Sequence, residues 1–236
     1  VIAFTINTNA QESTLLRLNY KKGDVYVTNM KMSQEVGEVM SMDMTMTMST
    51  NITASTANTY VGQMKISRVT MDMSQGGMNI NYDSSKSDED LDATTTMMKA
   101  QMEPMLKAVI TIKGNDLGEI LETTVEPNIQ GTKDLTNQSN NVVYPKKAIR
   151  VGDTWSMNKK NNGMDINFTY KVTSITNTNV LLDVSGKVSG IASGIVTGTM
   201  DIDKKSGIPL IAKIDMDLNG QGQVLTTKMV ATTVKK

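Results

Sequence analysis

The segment Val39–Ser49, VMSMDMTMTMS, carries methionine at every second position: Met40, Met42, Met44, Met46 and Met48. Ser41, Asp43, Thr45, Thr47 and Ser49 fill the places between them. A period of two is the spacing of side chains on one face of a β-strand. The methionines are therefore read as the inward face of a central strand. Asp43 in the middle of the other face argues against burial on both sides.

The same period governs most of the chain. Leu16, Leu18 and Tyr20 alternate, Lys21-Lys22-Gly23-Asp24 supplies a turn, and Tyr26, Thr28, Met30 and Met32 continue the pattern. Residues 14–34 thus read as a β-hairpin. A long strand is predicted over 59–73, with Met64 and Ile66 in one phase and Val69, Met71 and Met73 in the other. A β-bulge near Ser67 or Arg68 would reconcile the two phases. Met78, Ile80 and Tyr82 form a further short strand after the Gln75-Gly76-Gly77 turn.

One helix is predicted, over about 88–107. Ser87 is its candidate N-cap, with Asp90 three residues on and Asp88, Glu89 and Asp92 loading the positive end of the helix dipole. Leu91, Met98, Met102, Met105 and Leu106 make its apolar face, Thr94–Thr96 weaken it, and Pro104 bends or breaks it near the end. A hairpin follows at 109–125, then a polar segment, 128–142, read as a linker or surface loop. The remainder reads as strands at about 153–158, 163–175, 178–189, 191–203, 208–218 and 222–234. Residues 1–13 are taken as an N-terminal extension and 14–236 as a single β-rich domain. The match of KKGDVYV (21–27) to RVGDTWS (150–156) points to a pseudo-repeat of 14–127 and 143–234.

Composition narrows the function classes. The 236 residues include no Cys and no His, which removes disulfides, thiolate and imidazole metal sites, and Ser-His-Asp triads. Lys+Arg and Asp+Glu are both 24, and no basic stripe carries interleaved aromatics, so nucleic acid is not an expected partner. The acidic run at 83–92 lacks the glycine and terminal Glu of a calcium loop and is explained by helix capping. No cofactor, catalytic residue or metal site is expected.

The 20 methionines are the open question. Leu, Val and Ile pack better-defined strand cores, whereas Met gives an adaptable, polarizable wall suited to ligands of loose shape. Thioethers also favour Cu(I). Their scatter over at least four strands and a helix, without His or Cys, argues against a metal site.

Two stretches carry a resemblance. LRLNYKKGDVYVTNMKMSQ (16–34) with the methionine strand after it, and YPKKAIRVGDTWS (144–156), resemble an uncharacterised family of secreted or lipid-anchored β-rich proteins of Gram-negative bacteria. That resemblance implies a bacterial envelope location, periplasmic or cell-surface, and no catalytic residue. The order of elements is similar, at the level of fold, to periplasmic lipoprotein carriers, which implies a concave apolar face for acyl chains. The chain starts at Val1, read as a mature or truncated form whose export signal or lipid-bearing Cys has been removed. Membrane association is expected only through such an anchor.

The expected architecture is a mainly β, antiparallel curved sheet, a half-barrel or open barrel, with one helix packed on its concave face. The expected function is non-enzymatic binding of an apolar or amphipathic, lipid-like ligand. Its wall would be Met30, Met32, Met42, Met44, Met46, Met64, Met71 and Met73, and its lid Met98, Met102 and Met105. The alternatives are a structural module with a fully packed core and a soft-metal binder.

Overall fold

The computed structural model describes residues 12–87, 92–127, 142–161, 163–220 and 222–236. The predicted linker lies almost wholly outside these residues. In chain order the elements are β1 (Ser13–Thr14), β2 (Val25–Val36), β3 (Met40–Ser55), β4 (Thr59–Gln75), β5 (Met78–Asp83), α1 (Ala93–Lys107), β6 (Val109–Asn115), β7 (Ile120–Glu126), β8 (Ile149–Arg150), β9 (Thr154–Asn161), β10 (Met164–Ile175), β11 (Asn179–Gly190), β12 (Ser193–Asp203), β13 (Pro209–Gly220) and β14 (Gln223–Lys235). All but β1 and β8 join one sheet of order β7-β6-β4-β3-β2-β14-β13-β12-β11-β10-β9, with β5 also on β4. Every pairing is antiparallel, and among the described residues the sheet does not close. The expected curved antiparallel sheet with one helix is what forms.

Opposed residues in an antiparallel pair share a face, so one inner face can be followed across the molecule. It runs Tyr82–Met71–Met44–Met32–Met229–Ile214–Gly198–Val184–Tyr170–Trp155. The opposite face of β3 presents Ser41 and Asp43 to solvent. The predicted bulge is present: Thr47 faces Arg68 and Met48 faces Ile66, leaving Ser67 unpaired, with its hydroxyl donating to the Thr47 carbonyl at 3.1 Å. The skipped residue lets Ile66 and Val69 point the same way.

Residues 15–20 do not form the first arm of a hairpin. They run as an extended strap: Leu18 N–H donates to the Asp116 carbonyl and Asn19 N–H to the Ser206 carbonyl, both at 2.8 Å. The strap thus ties the β6–β7 turn to the β12–β13 turn. Arg17 fixes it from the side, its Nε 3.2 Å from the Asp116 carboxylate and its terminal nitrogens donating to the Pro145 and Lys146 carbonyls. The alternation of Leu16, Leu18 and Tyr20 is real, but their burial is against the inner face rather than within a ladder.

The two Gly-Asp turns have the same wiring. Gly23 and Gly152 have φ of 90° and 91°, a left-handed conformation that favours glycine. Asp24 N–H donates to the Lys21 carbonyl and Asp153 N–H to the Arg150 carbonyl, each at 3.0 Å. Gly23 and Gly152 donate to Ile52 and Val172, each at 2.8 Å. Downstream the halves differ. β12 pairs along nearly all of β11, whereas the free edge of β4 is shared, residues 59–64 by β6 and 70–75 by β5. α1 fills the connection between those two strands.

Two groups of side chains cover the inner face. Leu16, Val142, Tyr144 and Ile149 pack on Tyr170, Val172, Leu182 and Ile202 in the half built from β9–β13. Tyr144 is anchored there, its hydroxyl donating to the Gly207 carbonyl at 2.7 Å. In the other half the cover is α1. Inner-face glycine in β12 allows a close approach of β13: a Cβ at Gly198 would lie 2.1 Å from the Lys213 carbonyl oxygen. At Gly62, also on the inner face, the nearest atom would be a Thr50 side-chain methyl at 3.2 Å. Gly198→Ala should therefore cost at least ~2 kcal/mol in urea unfolding, whereas Gly62→Ala should cost under about 1 kcal/mol; equal costs would contradict the close approach of β13 to Gly198.

Candidate functional site: the methionine-faced half of the sheet

The site is assembled by register. Met30 faces Met46, Met32 faces Met44, Met44 faces Met71, Met42 faces Met73, and Met32 also faces Met229. Opposed β-carbons lie about 4.5–5.5 Å apart, so these thioethers form a continuous patch. Nine of the eleven predicted methionines meet in one cluster: Met30, Met42, Met44, Met46, Met71, Met73, Met98, Met102 and Met105. Met46 (7%) and Met71 (6%) are buried, and the other seven keep part of their surface exposed. Met32 and Met64 stand outside that cluster, Met64 between Thr50 and Ile110. Sequence reading missed Met48, Met229 and Tyr82. Met48 was available as the fifth member of the alternation, but Met229 reaches the patch through the β2–β14 pairing, which nothing local announces.

The helix differs at its start from expectation. Its N-cap is Asp92, with extended φ and ψ of −76° and 174°, whose carboxylate accepts from the Thr95 N–H at 2.7 Å. That hydrogen bond holds the Asp92 carboxyl below the usual carboxylate range. Ser87 is not the cap, and Asp88–Leu91 lie outside the described residues. The threonine run is accommodated because Thr96 donates its hydroxyl back to the Asp92 carbonyl at 2.8 Å and Thr95 is buried. The helix continues three residues past Pro104. Met98, Met102, Met105 and Leu106 pack against the cluster formed by the methionine strands.

Polar groups frame the patch. Tyr82 is 2% exposed, and its hydroxyl, buried among the methionines, has no hydrogen-bond partner among the described residues. Burial pushes the phenol up, against a smaller opposing effect of Lys99 on α1. Next to it Asp83 receives Arg68 through two nitrogens, Nε at 3.2 Å and a terminal nitrogen at 2.7 Å, and the Ser85 N–H at 2.9 Å. These bonds hold the Asp83 carboxyl far below its ordinary range, the Arg68 guanidinium being the largest cause. They pin the end of β5 where the chain leaves the sheet for α1.

Two clefts open on the surface. One of about 630 Å³ lies at the strand ends formed by Glu35, Gly37–Ser41 and Ser74–Gly77. The other, of about 660 Å³, lies beside the strap and is lined by Lys21, Tyr26, Ile208, Leu210 and Lys235 among others. Neither includes any of the eleven methionines. Among the described residues no three His, Cys, Asp or Glu side chains gather as a metal site, and no helix is long and apolar enough to cross a membrane.

A model described as a family of unknown function (DUF6263) matches residues 129–209. That span takes in β8–β12 and not the methionine strands. No curated protein matches. Among solved structures, the translocator domain of the autotransporter NalP from Neisseria meningitidis is similar, with a TM-score of 0.44 and 8% identity, covering 92% of this chain and 90% of that one.

Two outcomes are expected here. Tyr82→Phe should leave stability unchanged or raise it by up to ~1 kcal/mol in chemical denaturation, since it removes an unpaired buried hydroxyl; a clear loss would mean that the hydroxyl is bonded. Asp83 has a depressed folded-state pKa, so its contribution is present above the unfolded-state value and is lost as pH falls toward the folded one. Asp83→Asn should therefore cost about 1 kcal/mol at neutral pH, and the gap to wild type should start to shrink below about pH 4. Parallel stability curves for the two proteins down to strong acid would refute that assignment.

Proposed function

We propose that this is a non-enzymatic protein of the bacterial envelope that binds an apolar or amphipathic, lipid-like ligand against the methionine face, with α1 as the lid. One observation carries the reading. Nine predicted methionines from three strands and the helix meet in one cluster whose members mostly remain partly exposed. Unbranched thioether side chains re-pack around ligands of differing shape, and burial of an acyl chain at about 25 cal/mol per Å² needs no fixed polar contact. The absence of His and Cys leaves the usual nucleophile–base pairs unformed, which supports binding rather than catalysis. The balanced charge gives no support to a nucleic-acid partner. Association with a membrane would come only through a lipid anchor at the N-terminus.

A second reading, a packed structural module, is favoured by the placement of both clefts away from the methionine patch. In the carrier reading α1 must lift for a ligand to enter. The helix is suited to this. It carries three threonines directly after Ala93, contains Pro104, and rests on β4 and β5 through one row of methionines. Native mass spectrometry of protein purified from an envelope fraction should reveal a co-purified lipid, and a fluorescent fatty acid should bind the delipidated chain. Met98→Asp with Met102→Asp should weaken that probe by more than about tenfold. A lipid-free protein that also ignores the probe would support the packed module instead.

A further inference from the structure

The methionines are scattered along the chain, but the fold gathers nine of those predicted into one cluster. We infer that Met44 and its neighbours form a binding site for a monovalent soft cation, Cu(I) or its analogue Ag(I). Met44 stands at the centre of a cross, with Met71 and Met32 opposed to it on β4 and β2, and Met42 and Met46 two residues away along β3. Opposed β-carbons are about 4.5–5.5 Å apart and same-face neighbours along a strand about 6.8 Å apart. Each sulfur lies two bonds beyond its β-carbon, so three thioethers can turn onto one ion between them without movement of the backbone.

The chemistry of the patch selects the ion. Thioether sulfur is a neutral, soft donor that suits Cu(I), whereas Mg, Ca and Mn require oxygen ligands and Zn favours thiolate or imidazole. The chain has no Cys or His to compete for a soft ion. Met42, Met44 and Met32 keep part of their surface accessible, so the site is approachable, and Met98 and Met102 on α1 pack on the same cluster and can close over it. The inference is independent of lipid binding, because an acyl chain needs only apolar surface while a soft cation needs the sulfur.

That difference supplies the test. The purified chain is titrated with Cu(I) under ascorbate, in competition with a chromophoric Cu(I) chelator. Wild type should withdraw at least one equivalent. Met32→Leu with Met44→Leu and Met71→Leu conserves side-chain volume and apolarity, and should abolish the withdrawal while leaving the far-UV circular dichroism spectrum as in wild type. No withdrawal by wild type, or undiminished withdrawal by the triple variant, overturns the assignment. If the triple variant does not fold, wild type labelled with 13C at the methionine methyl groups is titrated with Ag(I). The resonances of Met32, Met44 and Met71 should shift first, and their failure to move overturns it equally.

Discussion

The ladder between β2 and β14 joins eleven residue pairs, from Val36 opposite Leu225 to Tyr26 opposite Lys235. It is the pairing that makes the two halves one sheet, and it brings the last strand of the chain beside the first long one. Its register decides the interior. Because side chains alternate with a period of two, a slip by one residue would turn Met30 and Met32 outward and set polar Lys31 and Ser33 against the cluster. As it stands, Met32 meets Met229 and the inner face passes without interruption from the methionine half to the half anchored by Tyr170 and Trp155.

A second constraint works within one strand. β4 is seventeen residues long and must offer apolar side chains to the same interior at both ends. An unbroken alternation in its sequence would do this, but Ile66 and Val69 are out of phase. Leaving Ser67 unpaired restores the phase at the cost of one ladder position, and the Ser67 hydroxyl recovers a hydrogen bond from the strand it leaves. The bulge is thus what allows Met71 and Met73 to join Met44 and Met42.

The methionine strand, the bulge and the helix's apolar row were legible because each is a periodic signal contained in a single segment. The strap was misread for a physical reason: alternation records which side chains are buried, and an extended segment tied to two turns buries alternate residues against the sheet just as a ladder strand does. Ser87 lost the capping role to Asp92 because the helix begins later than the run of acids suggests. The dispersal of the methionines along the chain was read as dispersal in space, yet β2, β3 and β4 are consecutive neighbours and the methionines of α1 pack on the same cluster. Strand order, above all β14 beside β2, depends on contacts between residues about two hundred positions apart and leaves no local trace.

The main path of the sheet contains eleven strands, each antiparallel to the next. An odd count makes the two outermost strands, β7 and β9, point in the same direction. Joining them would need a parallel pair, a hydrogen-bond geometry found nowhere else in the sheet and less stable per residue. Among the described residues β7 and β9 therefore stay sheet edges, which alternation of direction by itself cannot join.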